Sequence, residues 1–445
     1  MTNTKWLRRA LLGGAALGVM ATGAQADELT ALKAQLEALQ SRVQSLETQP
    51  APTLPAGAKL ITVRRGQGTY AEILPMRASE QLRDHQGYTI AVTPTADMPA
   101  PVSEVTVSGE IRARLLYVDE EIDDAGTFID LNANDVSDVG ESSGFDTNFF
   151  DVTTRGRLRI DGKTETAIGE VGGTIRLQGT DGDAADMNII WGYWQMTPNL
   201  QLGAGYTDSL SAIQASVDWN GNAVLNGFNA GPTNQSVSQF RLTYSNGGLT
   251  LAASIEDNDV GDIPAFAAYV GFDTGSFLIN ASALWQDDDS STYTDATGAT
   301  GVAFNDTDDD WVVGIGAIGH LGDMLRLEAA ANKGEGYAPA VYGLQSLPEN
   351  DFEFWSASLL AVLSFASNMS LELDFGITNL DHEGDETYVT NVADQVEKLW
   401  SVGGALYWDP VDQLTLGWGV GWNKQEDDDT EYTNITAGFG AWFRF

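Results

Sequence analysis

Apolar and polar residues alternate along most of the chain from Glu104 to Phe445, and this pattern limits the fold more than any other feature. In the run 105–117, the odd positions carry Val, Gly, Ile, Ala, Leu and Tyr, while the even positions carry mostly Thr, Ser, Glu and Arg. A side-chain period of two is typical of a β-strand whose two faces meet different surroundings. An arginine that faces the middle of a bilayer costs about 2–4 kcal/mol. The pattern therefore predicts membrane-spanning strands with an apolar outward face and a wet inward face.

Sixteen runs of this kind are predicted as strands: 105–117, 150–160, 167–179, 187–196, 200–207, 236–244, 249–256, 264–272, 276–286, 311–319, 324–333, 352–365, 369–379, 397–408, 413–423 and 432–445. Short connections such as 245–248 and 367–368 alternate with long ones such as 118–149 and 208–235. An even strand number with this asymmetry is typical of a bacterial outer-membrane barrel. We therefore predict an all-β fold over 104–445, a 16-stranded antiparallel transmembrane β-barrel wide enough for an aqueous channel.

The first 26 residues predict a secretory signal. Lys5, Arg8 and Arg9 precede the apolar segment 10–21, and Ala24 and Ala26 form a small-residue cleavage site. The apolar segment is too short for a retained membrane anchor, which is the alternative. Cleavage after Ala26 removes three cations and changes the formal net charge from −40 to −43. Export to the cell outer membrane of a Gram-negative bacterium is the predicted localisation.

Residues 27–49 predict a short coiled-coil helix. Its apolar positions step alternately by three and four residues, at Leu29, Leu32, Leu36, Leu39, Val43 and Leu46. So short a helix is marginal alone, and three copies in a homotrimer are its expected partners. The alternative is a helix docked on its own barrel.

Residues 50–103 predict two proline-rich linkers around a small β-rich module at 58–93. A periplasmic spacer or a cell-wall contact is the hypothesis for this module.

Acidic residues concentrate in the predicted outer segments. The segments 119–141, 256–262, 286–310, 381–397 and 424–431 hold 32 of the 63 acids, with Lys424 as their only cation. Such a chain is repelled by nucleic acid. Ca²⁺ or Mg²⁺ that bridges these loops to lipopolysaccharide is a hypothesis based on hard carboxylate ligands, although no EF-hand motif occurs. No other cofactor is expected.

An enzyme is not predicted. The three histidines, His85, His320 and His382, fall in the module, at a short turn and in an outer segment, so they cannot converge on one nucleophile. With no cysteine there is no Cys/His zinc set and no disulfide.

The stretch Arg241–Trp285, with its Asn-Gly turn, Glu-Asp strand end and Ile-Pro strand start, resembles the porins of alphaproteobacteria. The start VSGEIRAR at 107–114, the exit Gly205–Ser209 and the terminal Phe445 are also similar, so the resemblance covers about 104–445. The heptad helix is similar to the N-terminal coiled coils of anion-selective trimeric porins. The resemblance implies a trimer, a C-terminal barrel-assembly signal at Phe445, and a third outer loop, 208–235, that folds into the lumen and narrows it.

The resemblance also implies a pore constriction. The acids Asp208 and Asp218 of this loop are expected to face inward arginines of the first strands: Arg112, Arg114, Arg155, Arg157, Arg159 and Arg176. Charges of opposite sign across a lumen would orient water and polar solutes. The alternative is that the arginines pair with Glu110, Asp151, Asp161 and Glu170 and only stiffen the wall.

These observations favour a porin for passive diffusion of small hydrophilic solutes and ions, weakly selective with a cation bias. A substrate-selective porin for phosphate or another anion is the first alternative. A structural barrel that tethers the outer membrane to the cell wall is the second.

Overall fold

The computed structural model describes residues 60–65, 87–93, 103–123, 146–181, 184–213, 230–233, 235–257, 263–287, 309–336, 352–382, 397–426 and 431–445. The predicted signal peptide, its Ala24 and Ala26, the coiled-coil helix 27–49, His85 and Asp218 lie outside these residues. No helix of the described chain has the length and apolar character needed to cross a membrane.

The described elements are eighteen β-strands: β1 Leu60–Arg65, β2 Gly87–Thr93, β3 Ser103–Asp123, β4 Asp146–Thr166, β5 Gly169–Thr180, β6 Asp186–Thr197, β7 Leu200–Asp208, β8 Ser236–Asn246, β9 Leu249–Glu256, β10 Ala265–Asp273, β11 Phe277–Gln286, β12 Asp310–Leu321, β13 Leu325–Glu335, β14 Phe352–Ala366, β15 Met369–His382, β16 Lys398–Val411, β17 Leu414–Glu426 and β18 Glu431–Arg444.

Strands β3 to β18 form a closed barrel. Each pairs antiparallel with the next strand in sequence, and β18 returns to pair with β3 over Glu431–Arg444 and Glu110–Asp123. Closure leaves no exposed sheet edge, so every strand of the wall has two hydrogen-bonded neighbours. The predicted 16-stranded antiparallel barrel is confirmed.

The predicted strands match β3 to β18 one for one, but β3 and β4 are longer than predicted, at 21 residues each. The predicted second strand ends at residue 160, with 161–166 as a connection. In the structure these residues continue β4, and the turn to β5 falls at Ala167 and Ile168.

Strands β1 and β2 form a hairpin attached to the barrel sheet. Strand β2 pairs with Ser103–Ser108 of β3, and Phe445 pairs with the next residue of β3, Gly109. Part of the predicted β-rich module 58–93 thus extends the wall beside β18.

Glycine determines the tight turn between β8 and β9. Gly247 and Gly248 both have positive φ, 59° and 87°, which a two-residue hairpin of the right-handed twist requires. A Cβ at Gly248 would lie 2.2 Å from the backbone oxygen of Asp273.

The two faces of the wall differ as the alternation predicts. Outward positions carry exposed apolar side chains such as Ile111, Val152, Phe240 and Val420. Inward positions carry buried polar side chains such as Thr106, Ser254, Asn280, Ser356 and Thr378.

Tyr407 of β16 differs from its neighbours Trp400 and Trp408. It is 2% exposed and faces inward, where its ring meets that of Trp442 with 5.9 Å between centroids. Tyr407 shares the parity of Ser401 in β16, whereas Trp400 and Trp408 share that of Val402 on the other face.

Candidate pore-lining site

Six arginines form one side of the inward face. This arginine wall consists of Arg112 and Arg114 in β3, Arg155, Arg157 and Arg159 in β4, and Arg176 in β5. They alternate with outward residues such as Ile111 and Leu158, so the strand period places all six on one face.

Two carboxylates hold part of this wall. Glu110 contacts Arg112 at 3.4 Å and Arg155 at 3.1 Å, and Asp161 contacts Arg159 at 2.9 Å. Glu110 is only 5% exposed, so its charge is compensated by these guanidinium groups rather than by bulk water.

The other three arginines donate to neutral groups. Arg114 donates to the Thr153 hydroxyl at 2.9 Å, Arg157 to Gln178 at 2.6 Å and Arg176 to Asn188 at 3.0 Å. These neutral acceptors orient the guanidinium groups without cancelling their charge. Six guanidinium groups thus share this face with the carboxylates of Glu110 and Asp161.

The sheet register sets arginines directly opposite one another. Arg112 pairs with Arg155 between β3 and β4, and Arg159 pairs with Arg176 between β4 and β5. Like charges at directly opposite positions destabilise a sheet. Glu110, which bridges Arg112 and Arg155, offsets this repulsion in the first pair.

Of the other acids proposed as arginine partners, Glu170 lies elsewhere on the wall, whereas Asp151 is close enough to Arg114 to interact with it electrostatically. Glu170 contacts Lys163 at 3.2 Å and accepts a hydrogen bond from the Tyr193 hydroxyl at 2.7 Å. Asp151 is opposite Leu116 in the β3–β4 ladder.

Asp208 ends β7, across the ladder from Ser236, whose hydroxyl donates to it at 2.8 Å. Its backbone oxygen accepts a hydrogen bond from Arg241 of β8 at 2.7 Å. Arg241 is 2% exposed and lies over the Trp191 ring at 5.1 Å. The alternation in β8 predicts that Arg241 faces inward, but Arg241 lies outside the predicted group of arginines in the first three barrel strands.

The described ends of the segment 208–235 contact inward side chains of distant strands. Near its start, the backbone N–H of Leu210 donates to Glu256 at 3.0 Å, and the Ser282 hydroxyl donates to the backbone oxygen of Ser211 at 2.7 Å. Ile213 packs with Ile318 and Ala330.

Near the end of this segment, the backbone N–H of Ala230 donates to the Ser401 hydroxyl at 2.8 Å. Its backbone oxygen accepts from the Thr378 hydroxyl at 2.6 Å. The segment leaves β7 and returns to β8, yet these contacts lie on β15 and β16, so its described ends touch the inward face far from their own strands.

Three further acids, which the alternating arginines did not predict as part of the site, lie on the inward face of β13 and β15. Glu328, Glu372 and Asp374 are 1%, 5% and 3% exposed. Arg326 contacts Glu328 at 3.0 Å. In the closed barrel, three strands (β16, β17 and β18) separate β15 from β3. The acids on β13 and β15 therefore lie on a different part of the wall from the arginines on β3, β4 and β5.

A cavity of about 790 Å³ opens at the short-turn end of the barrel. Its lining includes Arg326, Glu372, Tyr407, Asp409 and Arg444. Charged groups of both signs therefore line the water-accessible mouth next to the acids of β13 and β15.

The described residues contain no group of three or more His, Cys, Asp or Glu side chains arranged to hold a metal ion. His320 lies near the short-turn end of β12, whereas His382 pairs with Phe352 at the long-loop end of the barrel. These two described histidines belong to opposite ends of the wall.

Comparison with solved structures gives the same architecture. The outer membrane channel DcaP of Acinetobacter baumannii matches with a TM-score of 0.60 and 20% identity, covering 79% of this chain and 99% of that one. The fold is that of the bacterial porins. An anion-selective porin from Comamonas acidovorans matches with a TM-score of 0.51 and 12% identity over 77% of this chain and 100% of that one.

A loop-deletion mutant of OmpT, an outer membrane protein of Vibrio cholerae, matches with a TM-score of 0.50 and 11% identity, covering 77% of this chain and 99% of that one. No protein-family model matches the sequence, and no curated protein matches it.

Proposed function

We propose that this protein is an outer-membrane porin that forms a water-filled channel for passive diffusion of small hydrophilic solutes and ions. The observation that carries the proposal is the closed sixteen-strand barrel with exposed apolar side chains outside and charged side chains inside. Lipid contact requires the first face, and a barrel of this strand number leaves room for water within the second.

We further propose that the segment 208–235 narrows this channel beside the arginine wall. The hydrogen bonds of Ala230 to Thr378 and Ser401, and the packing of Ile213 on β12 and β13, support an inward path for the segment. The acids Glu328, Glu372 and Asp374 supply negative charge on another part of the wall. Charges of opposite sign on two sides of a lumen favour solutes and water that can orient in the field.

Weak selectivity with a cation bias is our first expectation, because inward arginines face inward acids while the outer segments are strongly acidic. An anion-selective or phosphate-selective porin is the second candidate. The gathering of six arginines on one part of the inward face favours it, since guanidinium groups are suited to carboxylate and phosphate.

The proposed location is the outer membrane of a Gram-negative cell, reached through a cleaved signal peptide. We propose a homotrimer held in part by the 27–49 coiled coil. Lipopolysaccharide is the proposed partner at the long-loop end, with Ca²⁺ or Mg²⁺ bridging its phosphates to outer-loop acids.

The deciding experiment is single-channel recording of the refolded protein in a planar bilayer under a potassium chloride gradient. Conductance in steps of three with a small, cation-directed reversal potential is expected. A strongly anion-directed reversal potential would instead select the second candidate. The absence of channels from correctly folded protein would refute the porin proposal.

Replacing Arg114 and Arg157 by Gln gives a second arm of this experiment. The reversal potential should move further in the cation direction, because two positive charges leave the lumen. Replacing Lys333 of β13, whose side chain is 55% exposed, by Gln serves as the control.

A further inference from the structure

Asp374 stands out among the inward acids because nothing in the described part of the chain compensates it. It is 3% exposed, and both carboxylate oxygens are buried without a hydrogen-bond partner among the residues that the structure describes. An ionised carboxylate buried in this way costs several kcal/mol unless a cation or donors accompany it.

The backbone opposite Asp374 leaves room for its carboxylate. Asp374 pairs with Gly403 between β15 and β16. A Cβ on Gly403 would lie 2.6 Å from Oδ1 and 2.9 Å from Oδ2 of Asp374. Any larger residue at 403 would displace the carboxylate, so the niche depends on the missing side chain.

The neighbouring strands add negative charge and an apolar surface. Glu328, Leu360 and Asp374 form one row across β13, β14 and β15, and Arg326, Val362 and Glu372 form the next. Leu360 and Val362 form a buried apolar cluster between the acids. The two rows together contain three carboxylates and one guanidinium group.

This arrangement suits an organic cation better than a metal ion. Ca²⁺ requires six to eight oxygen ligands, and two strand spacings put the backbones of Glu328 and Asp374 about 10 Å apart. A primary ammonium group can instead approach Asp374 alone while its methylene groups cover Leu360 and Val362, as lysine stems cover apolar surface.

The cavity at the short-turn mouth extends to the row next to Asp374. Glu372, Arg326 and Val362 line the 790 Å³ cavity, and Glu372 lies two residues closer to that mouth than Asp374 along β15. A cation in the cavity therefore meets Glu372 first and Asp374 next.

We propose that Asp374, with Glu372 and the Leu360–Val362 surface, binds the ammonium group of small aliphatic amines inside the channel. This inference rests on the proposed porin function, because it requires a lumen open to solutes. The amine slows its own passage by binding and reduces the current carried by potassium ions.

The test is block of the potassium current through single channels in a planar bilayer by butan-1-amine at neutral pH, with butan-1-ol as the uncharged probe. The amine should reduce the wild-type current in a concentration-dependent manner, and the alcohol should not. In Asp374→Asn the half-blocking concentration should rise about tenfold, because the ammonium group loses one favourable charge contact. Asp381 is an exposed acid at the far end of the same strand, and in Asp381→Asn the half-blocking concentration should equal that of the wild type.

Gly403→Ala supplies a second variant that keeps the carboxylate but displaces it, and its half-blocking concentration should also rise. It decides the question if Asp374→Asn does not fold, as judged by circular dichroism. Equal half-blocking concentrations in the wild type and both folded variants would overturn the proposal, and so would a wild-type channel that the amine does not block. Folded wild type without any channel would instead refute the porin function itself.

Discussion

Glu110 offers the sharpest test of how the arginine wall is held together. It contacts Arg112 at 3.4 Å and Arg155 at 3.1 Å, and the register places these two arginines directly opposite each other. In Glu110→Gln the side chain keeps its size but loses its charge. The two guanidinium groups, on residues whose Cα atoms are about 5 Å apart, then lose the carboxylate that bridges them.

Breaking a buried ion pair by removing one partner costs about 3–5 kcal/mol. The wall borders a proposed aqueous lumen, where water and chloride reach part of the site, so we expect the lower end of this range. About 3 kcal/mol corresponds to roughly a hundredfold in the folding equilibrium constant. The reversal potential should also move in the anion direction, because the wall loses a negative charge.

The assay is the free energy of unfolding in urea, with the barrel refolded in lipid vesicles, for the wild type, Glu110→Gln, Arg155→Gln and the double variant. The double variant should recover at least half of the loss, since removal of one arginine relieves the repulsion that Glu110 offset. Glu121→Gln, an exposed acid in the same strand, should stay within about 0.5 kcal/mol of the wild type. A Glu110→Gln loss below about 1 kcal/mol, or a double variant no more stable than the single variant, would refute the reasoning.

Three further predictions test other parts of the structure. Gly205→Ala should lower the free energy of unfolding by about 1–3 kcal/mol. Gly205 has φ of 138°, and a Cβ there would lie 2.0 Å from a backbone oxygen of β6. In the control Gly162→Ala the added Cβ meets nothing within 4 Å, so its free energy of unfolding in the same urea assay should be nearly unchanged. Thr378→Val removes the hydroxyl that binds Ala230 and should give a larger, noisier single-channel conductance; an unchanged trace would contradict the proposed inward path. Deleting 27–49 should convert trimers to monomers in light scattering of the detergent-solubilised protein, and trimers that persist would show that the coiled coil is dispensable.

The strand pattern was accessible from the sequence because it depends on local chemistry. In β18, for example, Ile435, Phe439 and Phe443 alternate with Asn434 and Thr436, and a lipid exterior with a wet interior imposes this period wherever the strand lies. The number of strands and their faces followed from that period and from the turns.

Pairs across strands were not accessible, because register and closure determine them. The opposition of Arg112 and Arg155 depends on where β3 and β4 align, and a shift of one residue would turn each side chain to the other face. Tyr407 shows the same dependence on register, since an aromatic residue fits either face of a barrel near its ends.

The sequence by itself determined that the chain alternates between lipid and water, with arginines on the wet side. Only the tertiary structure brought Asp374 over Gly403, and Ala230 to Thr378, which are 148 residues apart in the chain. Such contacts join residues distant in sequence, and no local preference selects among the many partners that a closed barrel could supply.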